Sequence, residues 1–253
     1  MLSSSVSIVI PVDGKIDLTE KIVSQCINVF SKRELLFEII VVNYSKSKSI
    51  CNASLLQRYS SQVKFIDIIG GYSEALLAGF KQARYPEIFH IDYDHKLNPN
   101  EFFTLLKYKS GNSISSGITI NSGEKLHLFI NKILSFLIRI LFKKKMIEAN
   151  SPIKIIDKRL IDLLLPVLEK MNFIPSIALA VIANKYGFGL AETPVVGYSR
   201  ISSPIFTKKP FYFIYVYLKS FVFIVKLFFY KQYIIDTLER SFAGEKGNIK
   251  QGN

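Results

Sequence analysis

Cysteine is nearly absent from the chain: Cys26 and Cys51 stand far apart among 253 residues, with no metal-ligand spacing and no disulfide framework. Both read as packing residues of a reduced compartment, so a cytoplasmic location is expected. Histidine is as scarce, and His90, His95 and His127 do not form a metal set. His95 reads either as a loop residue or as a contact to a phosphate. No serine or cysteine sits in a nucleophile motif, so hydrolase readings gain nothing. The amino terminus lacks a basic region ahead of its short apolar run at 6–12, which suits a buried strand better than an export signal.

Acidic charge is missing from one half only. Residues 1–124 hold 13 Lys and Arg against 12 Asp and Glu (net +1), whereas residues 125–253 hold 20 against 8 (net +12). The basic half also carries the long apolar runs. Cations interleaved with aliphatic and aromatic residues are what an anionic membrane surface attracts, whereas a nucleic-acid binder would more often separate the two. Nucleic acid is therefore not an expected partner.

What is present is core-forming sequence. Apolar residues make up 49% of the chain, enough for one globular α/β domain of two lobes. Runs rich in β-branched residues at 5–11, 36–42, 63–69 and 87–91 read as strands. Between them, 18–30 and 74–83 carry apolar residues at three- and four-residue steps and read as helices, and 49–59 as a weaker, short one. Strands alternating with helices predict a doubly wound parallel sheet, which binds ligands outside the carboxyl ends of its strands. Asp13, Asn43, Gly71, Asp92 and Asp94 all follow strands at that edge.

The second half changes character. Residues 126–142 are almost wholly apolar, interrupted by Asn131, Lys132 and Arg139 and closed by Lys143-Lys144-Lys145, too short and broken for a comfortable span. Residues 211–230 form an aromatic-rich run with Lys219 and Lys226 seven apart on nearly one helical face. A span centred there would bury Lys219 at a cost of roughly 2.5–3.5 kcal/mol, which an interfacial helix avoids. A transmembrane helix and an oligomer interface stay open for this run. After Ser241 the Gly, Lys and Asn content predicts a mobile tail.

Asp92-Tyr93-Asp94 places two carboxylates one residue apart at a strand-to-loop turn, where the bend lets both reach one cation. Their oxygens suit Mg²⁺ or Mn²⁺ bridging a diphosphate. The alternative is a solvated turn with Asp94 capping a helix that begins near Asn100. From Gly71 to Gly79, small residues either let backbone amides approach a phosphate or pack a helix closely on the sheet. Arg200, beyond a short edge-like strand at 192–195, reads as a bidentate clamp on a diphosphate or as a surface residue.

Taken in order, these segments resemble family 2 glycosyltransferases of the GT-A fold, especially the polyprenol-phosphate sugar synthases such as dolichyl-phosphate mannose synthase. The resemblance covers roughly residues 5–207. It rests on Ser7-Ile8-Val9-Ile10-Pro11-Val12, Glu38-Ile39-Ile40-Val41-Val42, the glycine-bearing stretch from Gly71 to Gly79 with Ser73 in place of a glycine, and His90-Ile91-Asp92-Tyr93-Asp94 followed by Pro99. Ser151 to Lys154 resembles the family's Ser-Gly-Phe-Arg, and Glu192-Thr193-Pro194-Val195 with Arg200 its Glu-x-Pro-Val and trailing arginine. Where the family has Tyr-Asn-Glu, two aspartates and a glutamine, this chain has Asp13-Gly14-Lys15, Asn43-Tyr44 and Lys96.

The resemblance implies a GT-A domain over 1–207, with a nucleotide-binding half at 1–124, an acceptor half at 125–207 containing an interfacial helix at 126–142, and a membrane-surface or transmembrane helix and tail at 208–253. It implies inverting transfer from a nucleotide-diphosphate sugar to a polyprenyl phosphate or lipid-linked glycan at the inner face of the cell membrane, in cell-surface polysaccharide synthesis. The donor would meet Pro11, Val12, Asp13, Asn43, Gly71, Ser73, Asp92 and Lys96. The metal would sit on Asp92 and Asp94. Asp94, Glu148, Glu192 and Arg200 are the candidate catalytic residues. A degenerate, non-catalytic chain that binds a nucleotide or a partner remains the second expectation.

Overall fold

A computed structural model describes residues 5–33, 35–45, 61–92, 98–120, 125–171, 174–196 and 210–250. Strand β1 (Ser5–Val12) is buried along its whole length, as its run of valine and isoleucine requires. Helix α1 (Ile16–Phe30) buries Ile22, Val23, Cys26 and Phe30 on one face. Next come β2 (Leu36–Asn43), β3 (Val63–Asp67), α2 (Tyr72–Gln82), β4 (Glu87–Ile91), α3 (Glu101–Lys109), β5 (Ile114–Ile120) and α4 (Lys125–Phe142). The chain then forms β6 (Ile153–Asp157), α5 (Lys158–Met171), α6 (Pro175–Lys185), β7 (Leu190–Val196), α7 (Pro210–Phe229) and α8 (Lys231–Lys250). The short helix expected at 49–59 lies outside the described residues.

One seven-stranded sheet has the order β3-β2-β1-β4-β6-β5-β7. It is mostly, not wholly, parallel: β6 runs antiparallel to both β4 and β5. The reason is the connection through α4, which returns the chain to the edge where β5 ended, so β6 enters the sheet from that side. Helix α8 runs past Ser241 to Lys250, with Ile234 and Leu238 buried one turn apart in its first half.

Each face of the sheet has its own core. Helices α1 and α3 cover one, where Phe89 and Phe102 meet edge to face and Phe30 packs tilted against both. Helices α2, α4, α5, α6, α7 and α8 contribute to the other. Helix α2 lies so close to β1 that a Cβ on Gly79 would clash with Val9 Cγ1. Gly79→Ala should therefore destabilise the chain by about 1–3 kcal/mol through overpacking, read as a lower denaturant midpoint; an unchanged midpoint would show that α2 lifts from the sheet without cost.

Candidate active site

Strands β1 to β4 are mutually parallel, so their carboxyl ends deliver Val12, Asn43, Asp67 and Asp92 to one edge. Antiparallel β6 starts at the same edge, and the Asp92 N–H donates to the Pro152 carbonyl at 2.9 Å. Topology alone thus joins the acidic turn to the segment that resembles Ser-Gly-Phe-Arg. At the end of β1, Gly14 adopts φ +83° and opens a cleft of about 400 Å³ lined by Gly14 to Leu18. Asp13 beside it pairs with Lys15 at 3.6 Å, while Pro11 and Val12 are buried in the strand.

Asp92 is oriented from two sides. Its Oδ1 accepts the Tyr72 hydroxyl at 2.7 Å and lies 3.1 Å from His90 Nε2. Tyr72 comes from the first turn of α2, and His90 from β4 itself, fully buried with Nδ1 lacking a partner among the described residues. A carboxylate so held presents a hard oxygen donor at the ligand edge, which suits a cation shared with a diphosphate. Asp94, Tyr93, His95 and Lys96 fall within 93–97 and Arg200 within 197–209, outside the described residues.

Behind Asp92, register pairing lines up a polar row across the sheet face that α2, α5 and α6 cover. His90 on β4 stands opposite Lys154 on β6, Lys154 opposite Ser116 on β5, and Ser116 opposite Glu192 on β7. Lys154 is fully buried, and its Nζ donates to the Ser151 carbonyl at 2.6 Å and to the Ser176 hydroxyl at 2.8 Å. Burial pushes its ammonium down from 10.5 to about 8, against the upward pull of Glu148, Asp92 and Glu192. Three of the carboxylates nominated from the sequence therefore act electrostatically on one buried cation. Sequence reasoning placed Lys154 in a motif but gave it no role; a lone lysine within Ile153-Lys154-Ile155-Ile156 was the available signal.

Glu192 Oε1 accepts the backbone N–H groups of Ile147 and Glu148 at 2.8 and 2.9 Å, and Oε2 accepts that of Ile147 at 3.0 Å. Glu148 itself is buried. Asn43 is also buried, its amide Nδ2 donating to Asp67 Oδ1 at 2.6 Å and its Oδ1 accepting the Ser45 N–H at 3.1 Å. Among the described residues, the exposed carboxylate at this edge is Asp67, which an expected third strand running to residue 69 concealed. Gly71 donates its N–H to Glu74 of its own helix at 2.9 Å, and Ser73 lies in the same first turn.

No protein-family model matches the chain, and no curated protein is significantly similar to it. Solved structures do match. Glucosyl-3-phosphoglycerate synthase of Mycobacterium tuberculosis, with Mn²⁺, UDP and glucosyl-3-phosphoglycerate, superposes at TM-score 0.63 and 12% identity over 88% of this chain and 80% of that one. The same enzyme with Mn²⁺, UDP-glucose and glycerol 3-phosphate gives 0.61 and 12% over the same shares. A further mycobacterial protein gives 0.59 and 13% over 79% of this chain and 68% of that one. Together with the sheet order and its antiparallel β6, these likenesses show that the chain has the GT-A glycosyltransferase fold.

Proposed function

We propose that the chain is an inverting glycosyltransferase that moves a sugar from a nucleotide-diphosphate donor to a polyprenyl phosphate or lipid-linked saccharide in cell-surface polysaccharide synthesis. The observation that carries this is the Asp92 carboxylate, held by Tyr72 and His90 at the carboxyl edge of a GT-A sheet with buried Lys154 behind it. The matching enzyme is described with Mn²⁺ and UDP bound, which supports a divalent metal and a nucleotide donor. When bound, Mg²⁺ or Mn²⁺ would offset the charge of the departing diphosphate. In this reading Asp92 and Asp94 hold the metal, Arg200 and Lys96 steady the diphosphate, and Asp67 meets the base or ribose that Asn43 is too occupied to read.

A phosphate acceptor is supported by what no side chain then needs to do. A polyprenyl phosphate is already an anion and requires no general base, whereas a sugar hydroxyl does. Glu192 spends its carboxylate on the backbone at 147–148 and Glu148 is buried, which supports the phosphate acceptor. The resemblance to polyprenol-phosphate sugar synthases points the same way. The buried, internally bonded amide of Asn43 favours the second reading, a degenerate chain that binds without turnover.

A thermal-shift screen of UDP, GDP and dTDP, each with and without Mn²⁺, tests the donor site. Saturation at 100 times Kd stabilises by about 2.7 kcal/mol, so one nucleotide should raise Tm by several degrees only when Mn²⁺ is present. If none of the three moves Tm, the transferase reading fails.

A further inference from the structure

Two neighbouring helices leave their outer faces uncovered among the described residues. On α7, Leu218, Val222, Val225 and Phe229 follow at steps of four, three and four, which places them on one stripe. The opposite face, with Phe223, Ile224 and Leu227, is buried in the core, whereas Phe229 is 77% exposed. Lys219 and Lys226 border the stripe along one side. On α4 the same division recurs: Leu134, Ile138 and Phe142 are buried, and Ile133, Phe136 and Ile140 are exposed, Phe136 by 58%. Exposed Lys132 and Arg139 border this second stripe, and three lysines follow the helix end at Phe142. The two helices join through the Phe142 and Phe228 rings, 5.9 Å apart, and bury their inner faces in one core, so both stripes point away from it.

Large apolar side chains at regular spacing on an outer face call for a covering partner. No helix among the described residues is long and apolar enough to cross a membrane. A second copy laid face to face would bring the bordering cations of both copies together, and the chain already carries +13. An anionic surface meets both halves of the pattern, the apolar stripes and their cationic borders. We propose that the outer faces of α4 and α7 dock the chain on an anionic bilayer, with Phe136, Ile140, Val222 and Phe229 entering the headgroup boundary and Lys132, Arg139 and Lys226 on the phosphates. This deepens the lipid-acceptor reading above by naming the surface that brings the chain to such an acceptor.

Co-sedimentation of the full chain with vesicles of phosphatidylcholine, with and without phosphatidylglycerol, tests it. Binding should require phosphatidylglycerol and weaken as salt rises. Arg139→Ala and Lys226→Ala should each lower the partition constant by about fivefold, one exposed cation's worth at an anionic surface. Phe136→Asp combined with Val222→Asp should lower it by more than about tenfold while moving Tm by no more than a few degrees, because both positions lie on the exposed faces of their helices. Parent-like binding by these variants, or no binding to phosphatidylglycerol vesicles at low salt, would overturn the proposal. So would a lipid-free dimer by light scattering that Phe136→Asp dissociates while vesicle binding persists. The UDP and Mn²⁺ thermal shift, measured on the same samples, reports separately on the donor site, so its loss cannot be mistaken for failure of docking.

Discussion

Asp92→Asn is expected to remove the Mn²⁺-dependent stabilisation by UDP and to lower turnover at least about a thousandfold, a loss of roughly 4 kcal/mol of transition-state stabilisation. The amide is nearly isosteric, and its oxygen can still accept the Tyr72 hydroxyl and face His90 Nε2. Only the negative charge goes. Weakening those two contacts from charged to neutral acceptors costs about 1 kcal/mol, so Tm should fall by only a few degrees. The contrast between a small stability change and a large functional one is the diagnostic result. Calorimetry with UDP, with and without Mn²⁺, together with a turnover assay, reads both sides. A variant that keeps metal-dependent UDP binding within about tenfold would show that Asp92 does not hold the cation and that the acidic turn is a structural bend.

The fold was legible where local pattern and tertiary role agree. Strands β1, β2 and β4 are largely apolar runs buried over most of their length, and the expected bounds of the fourth, 87–91, coincide with those observed. Strand β6 was not legible as a strand direction, because its five residues carry no sign of which edge the chain enters from; the long connection through α4 decides that. Helix α8 was hidden by composition. Gly244, Lys246 and Asn248 suggest a loose tail, but Ile234 and Leu238 dock the preceding turns on the core and the helix propagates beyond them. At the site, the Asp92 position was readable because a carboxylate at the end of an apolar strand stands out. Its supports were not, since Tyr72, Lys154 and Ser176 belong to three separate elements that only the folded sheet gathers. Asp94, Lys96 and Arg200 were readable as motif positions alone.

Lys154→Met should separate function from stability in the opposite sense to a core mutation. Holding this ammonium in the sheet lowers its pKa from 10.5 to about 8, a penalty of about 3 kcal/mol at neutral pH, where it stays mostly charged. Methionine removes that penalty but leaves the Ser151 carbonyl and Ser176 hydroxyl without their donor, which costs about 1–3 kcal/mol. The two nearly cancel, so Tm at pH 7 should change little. In the proposed transfer, turnover should fall at least about tenfold, because Asp92, Glu148 and Glu192 lose the positive charge that acts on all three. The sign of the pH effect gives an independent check. Between about pH 8 and 10.5 the unfolded chain binds a proton at Lys154 that the folded chain has shed, so stability rises with pH across that window and this group adds no slope below it. Denaturant melts at the two ends of the window should show a rise of about 3 kcal/mol in the parent that Lys154→Met lacks. The same slope in both proteins would mean that another group carries it. Turnover left intact by Lys154→Met would mean that the buried lysine serves only the packing of β6 against α6.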